Sequence, residues 1–288
     1  QIKRDKAKLD VILTMDNSGS MRAADVGAVA FLNADIPSAS AACRPEMYSP
    51  AQSAYLLANW PIPAAPNPLY VPAMRAWCDN PNAVSYRSLG TTAFGLTGST
   101  RLNAVRFAAN SMADYLFNVD PYDHRVALVK WDNIVISSDN FSNNYSTVRA
   151  SLLNMYSGVD TRSSVGLRKA KDIGTAGFRS DAVHAVILLT DGVNSFGPAY
   201  NITAENADSL AVCREIKAIP NTIVYTIVFG RDSTNATVRQ FLSDCATGPN
   251  GPTAPNEGTY FFAAPNAASL NKAFEAIIGN LKKVRILE

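Results

Sequence analysis

The sequence is poor in the features that mark several common classes of protein. It has two histidines, and none of its four cysteines lies in a C-x-x-C pair, so we expect no zinc site. Its formal net charge of +2 is too small to indicate nucleic acid as a partner. No apolar run reaches the ~20 residues that cross a membrane. These absences disfavour a zinc protein, a nucleic-acid-binding protein and a membrane-spanning segment.

The beginning of the chain also lacks the pattern of a signal peptide. The first residue is Gln1 rather than methionine, and no apolar segment with a cleavage site follows it. We therefore expect residues 1–7 to be a lead-in from an upstream anchor or export segment. Any attachment to a membrane would be made only through that upstream segment.

Catalytic motifs are missing as well. The sequence has no G-x-S-x-G, H-E-x-x-H or phosphate-binding-loop pattern. A serine nucleophile at Ser18 or Ser20 would need a base nearby. His184 lies in an apolar strand and is expected to be a core histidine, whereas His124 is expected at a surface turn. We therefore expect that the protein is not an enzyme.

Four cysteines at wide spacing favour two disulfides and an oxidising compartment. Three pairings are formally possible, and four reduced thiols are the alternative. We favour Cys43–Cys78 and Cys213–Cys245, because each pair falls within one region of the chain. The expected location is therefore an oxidising compartment outside the cytoplasm.

Hydrophobic periodicity predicts strands that alternate with helices, and 47% of the residues are hydrophobic, enough for a sizeable core. The predicted strands are 9–16, 125–131, 134–137, 182–190, 222–229 and 260–263. The predicted helices are 23–33, 100–116, 147–156, 163–173, 204–218, 236–245 and 267–281. This order indicates an α/β fold with a doubly wound, mostly parallel central sheet flanked by helices. Such sheets bind ligands at the carboxyl ends of their strands.

Residues 35–99 interrupt this pattern. They contain nine prolines, two of the four cysteines and two of the three tryptophans. Proline at this density breaks helices and strands, and a loop of this length without its own structure is uncommon in a compact domain. We therefore expect an inserted, disulfide-stapled subdomain at 35–99 within a domain formed by residues 8–34 and 100–288.

Three polar loops follow or precede the predicted elements. Asp16, Ser18 and Ser20 follow the first strand, Asp191 follows the most apolar strand, and Thr161 precedes a helix. Carboxylate and hydroxyl oxygens are the ligands that hard divalent cations prefer. Each loop also has an ordinary interpretation, because turns use Asp, Ser and Gly for their own hydrogen bonds and Ser or Thr commonly caps a helix.

Together the loops resemble the three metal-binding loops of von Willebrand factor A (vWA) domains, whose first loop has the pattern D-x-S-x-S. The resemblance implies a metal-ion-dependent adhesion site for one divalent cation, Mg²⁺ in the first place and Mn²⁺ or Ca²⁺ as alternatives. The implied ligands are Asp16, Ser18, Ser20, Thr161 and Asp191. Gly166 and Leu167 support the choice of Thr161, for which Asp160 is the competing candidate.

The last third of the chain is similar to the vWA region of TadG-like proteins of bacterial tight-adherence (Flp/Tad) pilus systems. Those proteins also carry one cysteine on the helix before the fifth strand and another on the helix after it, the positions of Cys213 and Cys245. Members of that family are typically anchored in the membrane near the N-terminus, with the vWA portion outside the cytoplasm. The resemblance therefore implies a location in the periplasm, at the cell surface or on a pilus.

The resemblance implies a metal-dependent protein-binding or adhesion module of a bacterial surface or pilus-assembly protein. Its partner would be a pilus component or a host or surface protein that presents Asp or Glu to the cation. The alternative is a structural pilus or surface subunit in which the metal only stabilises the loops. In the first case partner binding requires the ion, and in the second it does not.

Overall fold

The computed structural model describes residues 8–22, 101–153, 155, 160–195, 201–248 and 256–287. Several sequence predictions lie outside the described residues: the helix at 23–33, the subdomain at 35–99, and the pairing of Cys43 with Cys78. The rest of the fold below is built from the described ranges.

A six-stranded sheet forms the centre, in the order β3-β2-β1-β4-β5-β6. Only β3 is antiparallel to its neighbour, and all other neighbouring strands are parallel. The strands are β1 (Lys8–Asp16), β2 (Arg125–Trp131), β3 (Val135–Ser142), β4 (Ala182–Thr190), β5 (Thr222–Phe229) and β6 (Phe261–Ala264). The doubly wound, mostly parallel α/β fold that the sequence predicts is confirmed.

Six helices of the described ranges pack on the two faces of the sheet. They are α1 (Arg101–Asp114), α2 (Tyr145–Leu153), α3 (Ser163–Gly177), α4 (Ile202–Lys217), α5 (Ala236–Cys245) and α6 (Ala267–Leu287). A π-helical turn (Tyr115–Val119) follows α1, and 3-10 turns occupy Gly19–Arg22 and Arg231–Thr234. None of the helices in these ranges is long and apolar enough to cross a membrane.

The two faces of the sheet bury separate apolar clusters. Val11, Leu13 and Met15 of β1 pack with residues of α1, α2 and α6, whereas Ile12 packs on the opposite face with residues of α3, α4 and α5. Alternate strand residues point to opposite faces, so a central strand covered on both sides is buried along its whole length and is mostly apolar. This explains why β4, in which every residue is buried, is the most apolar strand.

Most predicted strand bounds agree with the structure to within a residue, whereas helices α3 and α6 end four and six residues later than predicted. Two other differences have local reasons. β3 is longer than predicted because its polar residues pair with β2 through the backbone at the sheet edge, which leaves little hydrophobic periodicity. Helix α2 begins two residues earlier than predicted, because Asn144 precedes it and its Oδ1 accepts a hydrogen bond from the Thr147 N–H.

Gly166 lets α3 lie directly on β2. A Cβ at this position would overlap Cδ1 of the fully buried Trp131 ring. This contact holds the beginning of α3 close to the carboxyl end of β2. The loop that contains Thr161, just before α3, is thereby directed to the same edge of the sheet as Asp16.

A buried cluster of ion pairs stabilises the opposite edge of the sheet, where the amino ends of the parallel strands lie. The Asp10 carboxylate is fully buried and accepts hydrogen bonds from the guanidinium groups of Arg125, at 2.6 and 2.9 Å, and of Arg179, at 2.7 Å. Burial alone would raise the pKa of Asp10, but these hydrogen bonds outweigh it and hold the pKa below its ordinary value.

The structure confirms one histidine prediction and corrects the other. His184 is buried in β4, stacks on the Phe178 ring at 4.0 Å and hydrogen bonds to backbone carbonyls, as a core histidine does. His124 is also buried, so its prediction as a surface turn residue is wrong: its Nδ1 accepts the Leu9 N–H at 3.1 Å. His184 lies near the amino end of β4 and His124 directly precedes β2, so both lie at the edge opposite Ser18 and Ser20.

The disulfide between Cys213 of α4 and Cys245 of α5 is present, as predicted. Both residues are buried in the cluster that covers one face of β5. The bond therefore joins the helix that precedes β5 in the sequence to the helix that follows it.

Candidate metal centre

Asp16 is the last residue of β1, and its carboxylate is buried at the carboxyl edge of the sheet. The Ser18 N–H donates a hydrogen bond to Oδ1 at 2.7 Å, and the Thr190 hydroxyl donates one to Oδ2 at 2.6 Å. β1 and β4 are parallel with Met15 beside Leu189, so the next residues along, Asp16 and Thr190, also meet. The sheet register therefore fixes the position of this carboxylate.

The two serines of the first loop connect Asp16 to Asp191. The hydroxyls of Ser18 and Ser20 are 3.0 Å apart, and the Ser20 hydroxyl donates to Asp191 Oδ1 at 2.6 Å. Asp16, Ser18 and Asp191 are buried, whereas Ser20 is exposed. Four of the five predicted ligands thus form one continuous set of contacts that opens to solvent at Ser20.

Thr161, the fifth predicted ligand, is buried and lies in a loop joined to the other two. Its N–H and C=O pair with Ser195 at 3.0 and 2.9 Å, four residues after Asp191. The N–H of Arg162 donates to the Asp132 carbonyl just beyond β2, and the Asn17 N–H donates to the Trp131 carbonyl. Backbone hydrogen bonds therefore link the Thr161 loop to the loop after β4, and anchor both it and the first loop at the end of β2.

Side chains from other elements, rather than Thr161 or Ser163, satisfy the first turn of α3. The helix begins at Ser163, whose N–H and hydroxyl both donate to Asn194 Oδ1, at 3.0 and 2.6 Å. The Ser164 N–H donates to Glu205 Oε1 of α4 at 2.9 Å. Neither Thr161 nor Ser163 occupies the N-cap position, which belongs to Arg162. The helix-cap explanation for Thr161 is therefore removed.

Arg101 is a site residue that sequence reasoning missed. Its Nη1 lies 2.5 Å from Asp191 Oδ2, and the two side chains are 10% and 0% exposed. The guanidinium supplies one positive charge beside two buried carboxylates, those of Asp16 and Asp191. No sequence pattern pointed to Arg101, because it simply begins a helix that lies far from the predicted ligands in the sequence.

Two further neighbours of the site also escaped the sequence analysis. Thr190 holds the Asp16 carboxylate, and its place beside Asp191 at the end of a central strand was a usable signal. Asp232 lies in the turn after β5, and its Oδ2 is 2.6 Å from the position of a Cβ on Gly192. Its charge adds to the negative potential around Asp191.

The carboxylates of the site favour protonation when no cation is bound. Burial, with the charge of Asp191 as a second cause, raises the pKa of Asp16 to about 7 from its ordinary 3.8. Burial also raises the pKa of Asp191, although Arg101 and the Ser20 hydroxyl act in the opposite direction. The site therefore holds more negative charge than its surroundings stabilise.

This donor set fits a hard divalent cation. Its donors are all oxygens, two from buried carboxylates and others from hydroxyls, the ligand types that Mg²⁺, Mn²⁺ and Ca²⁺ take. Within the described ranges, no group of three or more His, Cys, Asp or Glu side chains is placed to hold a metal. Hydroxyl groups are therefore needed to complete a shell around Asp16 and Asp191.

The sequence model of the von Willebrand factor type A domain matches residues 95–276, well over half of the chain. The chain belongs to this family. The match begins beyond the first loop, and the structure adds β1 and its Asp16 turn to the vWA domain. No curated protein matches the sequence.

Solved structures of pilus proteins share the fold. The vWF domain of the type V pili tip protein Mfa5 from Porphyromonas gingivalis aligns with a TM-score of 0.57 at 12% identity, over 98% of this chain and 96% of that one. A D319A mutant of the PilB minor pilin from Streptococcus sanguinis gives 0.58 at 12%, over 100% and 65%. The pilus adhesin SpaC from Lactobacillus rhamnosus GG, in its open conformation, gives 0.55 at 13%, over 96% and 30%.

These identities show a common fold and no more. The chain spans less than a third of the length of SpaC, so the adhesin contains much that has no counterpart here. The structures that share the fold of this chain include a pilus adhesin, a pilus tip protein and a minor pilin.

Proposed function

We propose that this vWA domain is a metal-dependent protein-binding module of a bacterial surface or pilus-assembly protein. Asp16, Ser18, Ser20, Thr161 and Asp191 would hold one divalent cation, with Mg²⁺ as the physiological ion. The observation that carries the proposal is the continuous set of contacts from Asp16 through the two serines to Asp191, at the edge where doubly wound sheets bind ligands.

The placement of these residues suits recognition at the surface. Ser20 is the exposed member of the set, so a partner would approach from its side. When bound, the cation would supply an open coordination position for the carboxylate of an Asp or Glu on the partner. The chain itself would position the ligands: the sheet register orients Asp16, and the backbone pairing between residues 161 and 195 orients Thr161.

The proposed setting is extracytoplasmic. The Cys213–Cys245 disulfide is of a kind that persists in oxidising compartments. The similarity to TadG-like proteins and the fold shared with pilus adhesins and pilins support a place in a pilus system, and the finer assignment to a Tad/Flp pilus is part of the proposal. The division into a vWA domain (8–34 and 100–288) and an inserted subdomain (35–99) is also part of the proposal.

A structural subunit is the second candidate, and one observation favours it. The three loops are already joined by direct contacts such as Ser20–Asp191 and Thr161–Ser195, which a cation would reinforce. In that case the metal would stabilise the loops without touching a partner.

Thermal unfolding tests the metal site. We expect Mg²⁺ or Mn²⁺ to raise the melting temperature of the wild-type protein after treatment with a chelator, since an ion that binds only the folded state stabilises it. Asp16→Ala and Asp191→Ala should remove the shift, and Thr161→Val should reduce it. Asp160→Ala is the matched control for Thr161, and its shift should equal that of the wild type. No shift in the wild-type protein would refute the metal site.

Water-proton relaxation separates the two candidates. Mn²⁺ on the protein relaxes the protons of the water molecules it holds, so a carboxylate that replaces one of them lowers the relaxation rate. With acetate as the probe and acetamide as the control, a decrease specific to acetate supports recognition of acidic groups. An unchanged rate with both compounds favours the structural role.

A further inference from the structure

The Arg101–Asp191 ion pair lies within the proposed metal centre. Asp191 has two oxygens, and both are engaged: Ser20 donates to Oδ1, and Arg101 donates to Oδ2 at 2.5 Å. Arg101 is the first residue of α1, far from Asp191 in sequence but fixed beside it by the fold. A side-chain cation is therefore already present where a metal cation would bind.

The surroundings of Arg101 hold it tightly. A Cβ on Gly230, at the end of β5, would lie 2.6 Å from Arg101 Nε, so the guanidinium packs directly against the glycine backbone. Gly230 has a φ of +84°, a conformation that favours glycine over other residues. The Nε has no hydrogen-bond partner among the described residues. Among the described residues, Asp191 is the one ionic partner that the structure shows for this guanidinium.

We propose that Arg101 is an internal competitor for the metal, which must release Asp191 Oδ2 before a divalent cation binds that carboxylate fully. The proposal rests on the metal site proposed above and adds an affinity-determining residue to it. Arg101 would stabilise the metal-free protein while lowering its affinity for the ion.

Charge and burial give the reason for competition. One guanidinium offsets a single negative charge, whereas the site holds two buried carboxylates and lies beside Asp232. A divalent cation neutralises both carboxylates, but a guanidinium in the same buried space repels it. Hydrogen bonds to charged groups have net strengths that correspond to about ten- to a hundredfold in a binding constant. Loss of Arg101 should therefore raise the affinity by at least about tenfold.

Isothermal titration with Mg²⁺ and with Mn²⁺ tests the proposal on the whole chain. Arg101→Gln removes the charge, and Arg101→Lys retains it on a shorter side chain without the guanidinium fork. Arg106→Gln is the matched control: Arg106 lies on the same helix and is also buried, but its Nη2 donates to the Met155 carbonyl. We expect the affinity to increase in the order wild type, Arg101→Lys, Arg101→Gln, with Arg106→Gln equal to the wild type.

The outcomes separate this proposal from the proposed function. If the wild type binds the ion and Arg101→Gln binds it equally or more weakly, competition by Arg101 is refuted and the metal site stands. If neither protein binds, the metal site and the competition both fail. Binding by Arg101→Gln alone supports the competition but refutes metal binding by the wild-type protein. If Arg101→Gln does not fold, Arg101→Lys decides, and an affinity equal to that of the wild type overturns the proposal.

Discussion

Replacement of Asp16 by asparagine should stabilise the metal-free protein at neutral and alkaline pH, although Asp16 belongs to the proposed site. Asparagine has nearly the same shape and carries no charge. Its side-chain oxygen still accepts the Ser18 N–H, and the Thr190 hydroxyl has the Gly192 carbonyl, 3.5 Å away, as another acceptor. The substitution therefore removes a buried charge with little change in packing.

The magnitude follows from the pKa of Asp16. Its folded-state pKa of about 7 exceeds the ordinary 3.8, because burial and Asp191 disfavour the charged form. Below pH 3.8 both folded and unfolded chains hold the proton, and the group has no effect. Between pH 3.8 and 7 only the folded chain holds it, so the free energy of unfolding falls as pH rises. The total loss is about 4 kcal/mol, at 1.36 kcal/mol per pKa unit.

Urea unfolding in the presence of a chelator measures this effect. The stability of Asp16→Asn relative to the wild type should increase by about 4 kcal/mol from pH 4 to pH 8. Added Mg²⁺ should stabilise the wild type and leave the variant unchanged. If the difference in free energy of unfolding between the two proteins stays constant with pH, the folded protein does not raise the pKa of Asp16 and the reasoning is refuted.

Three further predictions concern the scaffold. Gly166→Ala should destabilise the protein by about 1–3 kcal/mol through overpacking on the β2 indole, whereas Gly279→Ala, where a Cβ meets open space, should stabilise it by about 0.5–1 kcal/mol; equal urea midpoints would contradict the packing argument. Loss of the Cys213–Cys245 bond in a double alanine variant should lower the free energy of unfolding by about 3–4 kcal/mol for a sequence separation of 32 residues, measured by urea. Asp10→Asn should cost about 3–5 kcal/mol at pH 7. Because the pKa of Asp10 is lowered, its contribution is present above its unfolded-state pKa and is lost as acid protonates it, so acid unfolding of the variant should be less steep.

Sequence patterns predicted the sheet well where burial dictates the residues. Strands β2, β4 and β5 have the predicted bounds, because a strand covered on both faces is a mostly apolar run. Sequence patterns predicted strand bounds less well where backbone hydrogen bonds, rather than buried side chains, determine the strand, as in the polar edge strand β3. The prediction for His124 was wrong for a related reason. Its Nδ1 accepts a hydrogen bond from the Leu9 N–H, a contact between distant parts of the chain that only the folded sheet reveals.

For the site, the sequence supplied the residues at strand ends, and the structure supplied their neighbours. Asp16 and Asp191 follow apolar strands, a position that parallel sheets bring to one edge. Arg101 could not be predicted, because its contact with Asp191 spans 90 residues and depends on the packing of α1 against the sheet. Asp232 likewise reaches the site only through the turn after β5.

The most direct test of the central claim is a crystal structure of the protein soaked in Mn²⁺, with the ion located by its anomalous signal. The account predicts one strong peak among the oxygens of Asp16, Ser18, Ser20 and Asp191, with Thr161 in the same shell and a solvent or carboxylate ligand on the Ser20 side. A fully soaked crystal with no peak there, or with its only peak elsewhere, would contradict the proposed metal site.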